Sequence, residues 1–155
     1  MRRIRIMVAG VALAAGLAGC SSGTAAPGTP AAGTDAAAVE AAFRGHNQAL
    51  LSRDFATACS FNAPETNQQL VEQASAGGGR VSSCEEALKK AYSNPRAVAV
   101  FDGVGKGAKV QGVQVHGDTA SITWSVQPPG EKPVTNTSQM RRVNGQWRLV
   151  PNGTP

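Results

Sequence analysis

His46 has the widest chemical range of any residue in this chain, because an imidazole can bind a ligand or exchange a proton near neutral pH. It shares an apolar stripe with Val39, Phe43 and Leu50, at spacings of four, three and four residues that predict one face of a helix. Asn47 follows it directly. Two interpretations stay open at this stage: the stripe lines a pocket, or His46 is hydrogen-bonded to backbone at the rim of the core.

Sequence patterns that would indicate catalysis are weaker than the apolar stripe with His46. Chemistry of the ketosteroid-isomerase type needs an Asp base and a neutral acid in a dry pocket. Asp54 is predicted to cap a helix, Asp102 to lie in a turn, and Tyr92 is the only tyrosine. The glycines of residues 103–107 lead into a predicted strand, so they are interpreted as a flexible turn and not as a phosphate loop. His116 is predicted to be solvated in a turn. No catalytic residue, metal or cofactor is predicted.

The first 20 residues form a pattern of their own. Three arginines precede an apolar run over residues 6–18, which is short of the roughly 20 residues of a transmembrane helix. Leu-Ala-Gly then precedes Cys20, a pattern that resembles the lipobox of bacterial lipoproteins more than an ordinary secretory signal. The resemblance implies a signal peptide over residues 1–19 and a Cys20 that carries diacylglycerol and palmitate. It also implies a lipid-anchored protein on the extracytoplasmic face of the cell membrane.

The mature chain is predicted to begin with a tether. Residues 21–34 contain only Ser, Gly, Thr, Ala and Pro, which bury too little apolar surface to offset their ordering entropy, so residues 20–34 are predicted to be disordered. Without the three signal arginines, 12 basic residues face 10 acidic ones, a net charge near +2. So small a charge without a basic cluster argues against nucleic-acid binding. Residues 35–155 remain, enough for a single domain.

Cys59 and Cys84 are 25 positions apart. A metal site would need His or carboxylate ligands at short spacing, and only Glu85 and Glu86 lie close to either cysteine. A reactive thiol is the other alternative. Because the compartment beyond the membrane is oxidising, an isolated pair is predicted to form a structural disulfide.

Caps and apolar spacing predict four helices in the first half of the domain. They are a helix that Asp35 caps and that runs through Arg53, Phe55–Ser60 after the Asp54 cap, Pro64–Ala74, and a fourth from the Ser82-x-x-Glu85 capping box to Tyr92. Asn94-Pro95 is interpreted as the end of the helical half.

The second half predicts antiparallel strands. Alternation over residues 120–126 gives a strand with one dry face, and a bulge near Gly112 would return Val110 to the face of the valines that follow it. Turns are predicted at residues 116–118, at 128–130 and at the Asn-Gly pair of 144–145. The predicted shared core consists of Phe43, Ile122, Trp124, Trp147 and Leu149. The predicted class is α+β, with helices packed on a curved antiparallel sheet.

Three stretches carry a family resemblance: Arg53–Cys59, Ser83–Leu88 and Val143–Leu149. They resemble small actinobacterial lipoproteins with a nuclear-transport-factor-like (cystatin-like) domain, over residues 35–151. The resemblance implies a cone of bent sheet around helices, often with a pocket at its open end. The candidate pocket residues are Phe43, His46, Asn47 and Trp124.

Three functions follow as expectations. The first is a tethered binding or interaction module that docks on an unidentified protein of the cell envelope. The alternative is a pocket that holds a small apolar ligand, and a cavity of about 300 Å³ or more lined by Phe43, His46 and Trp124 would favour it. A fold of this kind does not select a function. An enzyme similar to ketosteroid isomerases is the weakest expectation, because no pairing of Asp with Tyr or His stands out in the sequence.

Overall fold

The computed structural model describes residues 32–128 and 130–152, in which five helices pack against a curved four-stranded antiparallel sheet. The predicted α+β class is confirmed. The predicted signal peptide, Cys20 and most of the predicted tether lie outside the described residues. The helices are α1 (Ala32–Leu51), α2 (Phe55–Ser60), α3 (Pro64–Ala76), α4 (Cys84–Ala91) and α5 (Pro95–Gly107), and the strands are β1 (Lys109–His116), β2 (Thr119–Val126), β3 (Val134–Val143) and β4 (Gln146–Val150).

The sheet is a meander, because its strands lie in chain order and each is antiparallel to its neighbour. The predicted bulge is present in β1. Val110 pairs with Trp124 while Gly112 pairs with Thr123, so Gln111 is the extra residue between two register positions. Val110 therefore returns to the face that packs on the core, as predicted.

The turn between β3 and β4 is the predicted Asn-Gly hairpin. Asn144 and Gly145 have φ angles of 51° and 78°, the two positive values that a type I′ turn requires. The turn sets β4 in register, with Trp147 buried. The opposite edge of β4 is paired with the segment after α2, since Leu149 donates its N–H to the Phe61 carbonyl at 2.9 Å.

The start of α1 differs from the prediction. The helix includes residues 32–34, which were assigned to the tether, and Asp35 lies in its first turn instead of capping it. The Asp35 carboxylate accepts a hydrogen bond from Arg142 of β3 at 2.6 Å, which ties the helix to the sheet. Asp54 does cap α2, since the Thr57 N–H donates to its Oδ1 at 3.1 Å.

The capping box of α4 lies one residue later than predicted. Ser83, not Ser82, is the N-cap, and its Oγ accepts a hydrogen bond from the Glu86 N–H at 3.2 Å. The Glu86 carboxylate in turn accepts from the Ser82 N–H at 2.8 Å. Ser82 and Ser83 both fit the spacing of the motif, because a glutamate lies three residues after each of them. The conformation of the backbone at the start of the helix makes Ser83 the N-cap.

The prediction that the helical half ends at Asn94-Pro95 is wrong, because α5 begins there. Asn94 accepts a hydrogen bond from the Arg96 N–H at 3.0 Å, and Pro95 occupies the first turn, where its missing N–H costs nothing. The glycines interpreted as a flexible turn lie inside this helix. A Cβ on Gly105 would lie 2.9 Å from Leu51 Cγ, so glycine permits the close approach of α5 to α1.

The main core lies between α1 and the sheet. Its buried members are Val39, Phe43, Ala120, Ile122, Met140 and Trp147, with Val110, Trp124 and Leu149 packed against them. The predicted shared core is therefore confirmed. A second cluster surrounds the Cys59–Cys84 disulfide, which is also as predicted and joins α2 to the start of α4 with a Cα–Cα distance of 6.0 Å.

Candidate functional site

A cavity with a volume of about 660 Å³ lies between the helices and one end of the sheet. Its walls come from α1, α3, α4 and α5 and from the end of the sheet formed by β3 and β4. Apolar side chains from every wall contribute, among them Leu50, Leu70, Leu88, Phe101 and Leu149. Polar side chains also line it, from several elements: His46, Asn62, Thr66, Gln73, Lys90, Tyr92, Asn94, Ser138 and Asn152.

Of the four predicted pocket residues, only His46 lines this cavity. Phe43 is buried in the core, with its ring centroid 5.8 Å from that of Trp124. Trp124 lies behind the cavity wall and donates its indole N–H to Ser138 Oγ, a wall residue, at 3.0 Å. Asn47 borders a separate, smaller groove, which Phe43 also borders. Phe43, Asn47 and Trp124 therefore do not line the cavity that His46 lines.

The physical reason lies in the drift of the apolar stripe around α1. Spacings of four, three and four keep Val39 and Phe43 over the sheet, whereas His46 and Leu50 lie one to two turns further on, where the sheet no longer covers the helix. One apolar stripe on a helix can therefore contact the core along one part and line a cavity along another. The spacing of its residues does not show where the first part ends.

Burial lowers the pKa of His46 to about 4, and the side-chain hydrogen bond with Asn47 opposes this effect only in part. The imidazole is therefore neutral at pH 7 and presents one N–H donor and one acceptor nitrogen. Of the two interpretations of His46, the structure shows that it lines a cavity, and its hydrogen bond is with the Asn47 side chain.

The lowered pKa of His46 predicts that the stability of the protein depends on pH. That pKa is about 4 in the folded protein against an ordinary value of 6.5, so the unfolded chain takes up the proton first as the pH falls. The free energy of unfolding is expected to decline between about pH 6.5 and pH 4, by at most roughly 3 kcal/mol. Urea denaturation at both pH values should show a shallower decline for His46→Gln.

His116→Gln is the matched control, since His116 is exposed at the end of β1, as predicted. Its pH profile should follow that of the wild type. Parallel profiles for the wild type and His46→Gln would contradict the prediction.

The floor of the cavity is a polar network beside the disulfide. Asn62 is 4% exposed and donates its side-chain N–H to Asn67 Oδ1 at 3.0 Å, while Asn67 donates to the Cys59 carbonyl at 3.0 Å. Thr66 donates its hydroxyl to the Leu149 carbonyl at 2.8 Å. These bonds use the polar groups within the protein, so the floor is held rigidly.

Tyr92, the C-cap of α4, was not predicted to line a pocket, but it does. Its ring centroid lies 5.1 Å from those of both Phe55 and Phe101, and the Arg53 guanidinium lies 4.5 Å over its face. Its hydroxyl is buried and has no hydrogen-bond partner among the described residues. Burial raises the pKa of Tyr92, and the charge of Arg53 opposes the rise.

Asp102 is not the turn residue of the prediction. It lies in α5 and accepts two hydrogen bonds from Arg53, from Nη1 at 2.8 Å and from Nη2 at 3.0 Å. These bonds hold the pKa of Asp102 below its ordinary value. The pair fastens α5, which forms one side of the cavity, to the end of α1.

Lys90 of α4 is the one cationic side chain in the described wall, although an isolated pair of lysines at 89–90 is typical of a solvated face. Its Nζ donates to the Ala74 carbonyl at 2.6 Å and to the Gly78 carbonyl, at the C-terminal end of α3. The sequence contained one indication that Lys90 could border an apolar space. Ala87, Leu88 and Ala91 form a small apolar face on a helix whose charged residues include Lys90.

No carboxylate lines the cavity within the described residues, so the wall lacks the Asp base of ketosteroid-isomerase chemistry. Within the same residues, no cluster of three His, Cys, Asp or Glu side chains could hold a metal ion. None of the helices in residues 32–152 that the structure describes is long and apolar enough to cross a bilayer. No protein-family model matches the chain, and no curated protein matches its sequence. Function has to be inferred from the cavity.

Proposed function

We propose that this protein is a lipid-anchored protein of the cell envelope whose domain binds a small apolar ligand in the cavity between its helices and its sheet. The observation that carries the proposal is the cavity itself. Its volume of about 660 Å³ lies within the roughly 300–1,000 Å³ of known ligand pockets. Most of the surface of its wall is apolar and polar side chains interrupt it, as in other pockets that hold small ligands.

The location is proposed from the sequence. The pattern ending at Cys20 supports lipidation there, and the residues up to 31 are enough to hold the domain close to a membrane. The α+β architecture supports membership of the nuclear-transport-factor-like superfamily. Neither proposal selects a function, because both enzymes and binders share that fold.

Docking on an envelope protein is the second candidate, and one observation favours it. Val100 and Phe101 are adjacent on α5 and are 62% and 39% exposed. Because Phe101 also lines the cavity, this patch is small and partly belongs to the ligand site. Apolar binding therefore has the stronger support.

Filling the cavity should abolish ligand binding. Ala91 lines the cavity from α4, so Ala91→Trp places an indole in the space that a ligand would occupy. The neutral apolar fluorophore N-phenyl-1-naphthylamine should bind the wild type with enhanced emission. Its affinity for Ala91→Trp should fall by at least about tenfold, equivalent to ~1.4 kcal/mol.

Ala99→Trp is the matched control, since Ala99 lies on the exposed side of α5 away from the cavity wall. This variant should bind the fluorophore as the wild type does. Absence of binding by the wild type, or equal binding by Ala91→Trp and wild type, would contradict the proposed function. Circular dichroism of each variant establishes that it is folded.

A further inference from the structure

We propose that the ligand is a single-chain amphiphile whose anionic head is bound by Lys90 at the α3–α4 rim of the cavity, with its apolar chain extending inward. This inference rests on the proposed function and specifies the chemical class of its ligand. It is carried by the position of Lys90, by its lack of an acidic partner, and by the apolar wall behind it.

Lys90 is held in place before any ligand arrives. Its two backbone acceptors, Ala74 and Gly78, lie at the C-terminal end of α3, where carbonyls have no partner inside the helix. An ammonium group has three N–H donors, and these contacts use two of them. The third has no acceptor among the hydrogen bonds of the described residues, and in this proposal the ligand supplies one.

The charge of Lys90 is not neutralised by an acidic side chain. None of the ion pairs formed by the described residues includes it. Its neighbour Lys89 is different, since Lys89 is exposed and pairs with Glu85 at 3.8 Å. Carbonyl dipoles offset part of a cationic charge but leave it formally unpaired. An anion at the rim would complete this site.

The rest of the wall is suited to an uncharged chain. Leu70, Leu88 and Leu149 come from three different elements around the space, and His46 adds a neutral imidazole. A second charge on the ligand would be buried without a partner there, which is costly.

A purely structural role for Lys90, as a cap on α3, makes a different prediction. A cap would contribute to stability and would not distinguish a charged ligand from a neutral one of the same length. The selectivity of binding therefore separates the two roles.

The test is displacement of bound N-phenyl-1-naphthylamine by dodecanoate and by methyl dodecanoate, which share a chain and differ in charge. The wild type should bind the carboxylate about tenfold more tightly than the ester. Lys90→Gln, which keeps an N–H donor for the carbonyls, should lose this preference. Lys89→Gln should retain it, and so should Lys90→Arg. Dodecyl phosphate tests whether a phosphate head, as found on lipids, is preferred to a carboxylate.

Each outcome has a defined meaning. Tighter binding of either anion than of the ester, lost only in Lys90→Gln, supports the inference. Fluorophore binding without preference for an anion in the wild type overturns the inference and leaves the proposed function standing. An equal loss in Lys89→Gln and Lys90→Gln also overturns it, since it would indicate general surface charge. If the fluorophore does not bind at all, the proposed function itself fails. Should Lys90→Gln not fold, Lys90→Met replaces it, and retention of the preference for an anion in that variant overturns the inference.

Discussion

Replacing Trp147 with alanine is expected to lower the free energy of unfolding by about 3–5 kcal/mol, because the change empties a large volume in a close-packed core. Trp147 is 5% exposed and shares the main core with Ile122 and Met140. The Arg142 guanidinium lies 4.7 Å over its ring, so that contact is lost as well. Urea denaturation followed by far-ultraviolet circular dichroism measures the change.

Two variants sharpen this test. Trp147→Phe keeps most of the ring and removes an indole N–H that is buried without a hydrogen-bond partner in the part of the chain that the structure describes. It should therefore cost much less than alanine does. Val100→Ala, at a position that is 62% exposed, should change stability by no more than about 0.5 kcal/mol. A Trp147→Ala variant as stable as Val100→Ala would place Trp147 outside the core and contradict the packing described here.

Removing the disulfide is expected to have an effect of similar size. The Cys59→Ala/Cys84→Ala protein should lose about 3.5 kcal/mol, since a cross-link between residues 25 positions apart restricts the unfolded chain. Alanine suits these sites better than serine, because both cysteines are buried and a serine would bury a hydroxyl group. The floor of the cavity lies beside this bond, so loosening it should also weaken fluorophore binding.

Reduction of the wild type is the control for the double variant. Dithiothreitol should lower the unfolding midpoint of the wild type towards that of the double variant and leave the variant itself unchanged. Equal stability of oxidised and reduced wild type, with the two thiols shown by mass spectrometry to be free after reduction, would contradict the prediction.

The local features were predictable from the sequence because each depends on residues a few positions apart. The Asn144-Gly145 turn, the Asp54 cap and the dry face of β2 follow from turn geometry, capping and the period of a strand. The bulge at Gly112 followed from the phase of Val110. The Cys59–Cys84 pairing was predictable because the described domain contains only these two cysteines.

Tertiary structure decided whether a local signal starts or stops an element. Asn94-Pro95 both follows one helix and caps the next, and the glycines after Asp102 weaken any helical pattern. α5 forms nonetheless, because Gly105 packs closely on Leu51 and Asp102 pairs with Arg53. Those partners are remote in sequence, so no local pattern predicts them.

The cavity is also a product of tertiary structure. Its wall draws on residues between 46 and 152, contributed by four helices and two strands, and no single segment contains more than part of it. The sequence alone identified His46 as a candidate pocket residue. For Lys90 it offered only the small apolar residues that neighbour Lys90 on α4. That His46 faces an apolar space, and that Lys90 stands at its rim without an acidic partner, depends on how the elements pack. Packing sets these distances because it brings together side chains that are far apart along the chain.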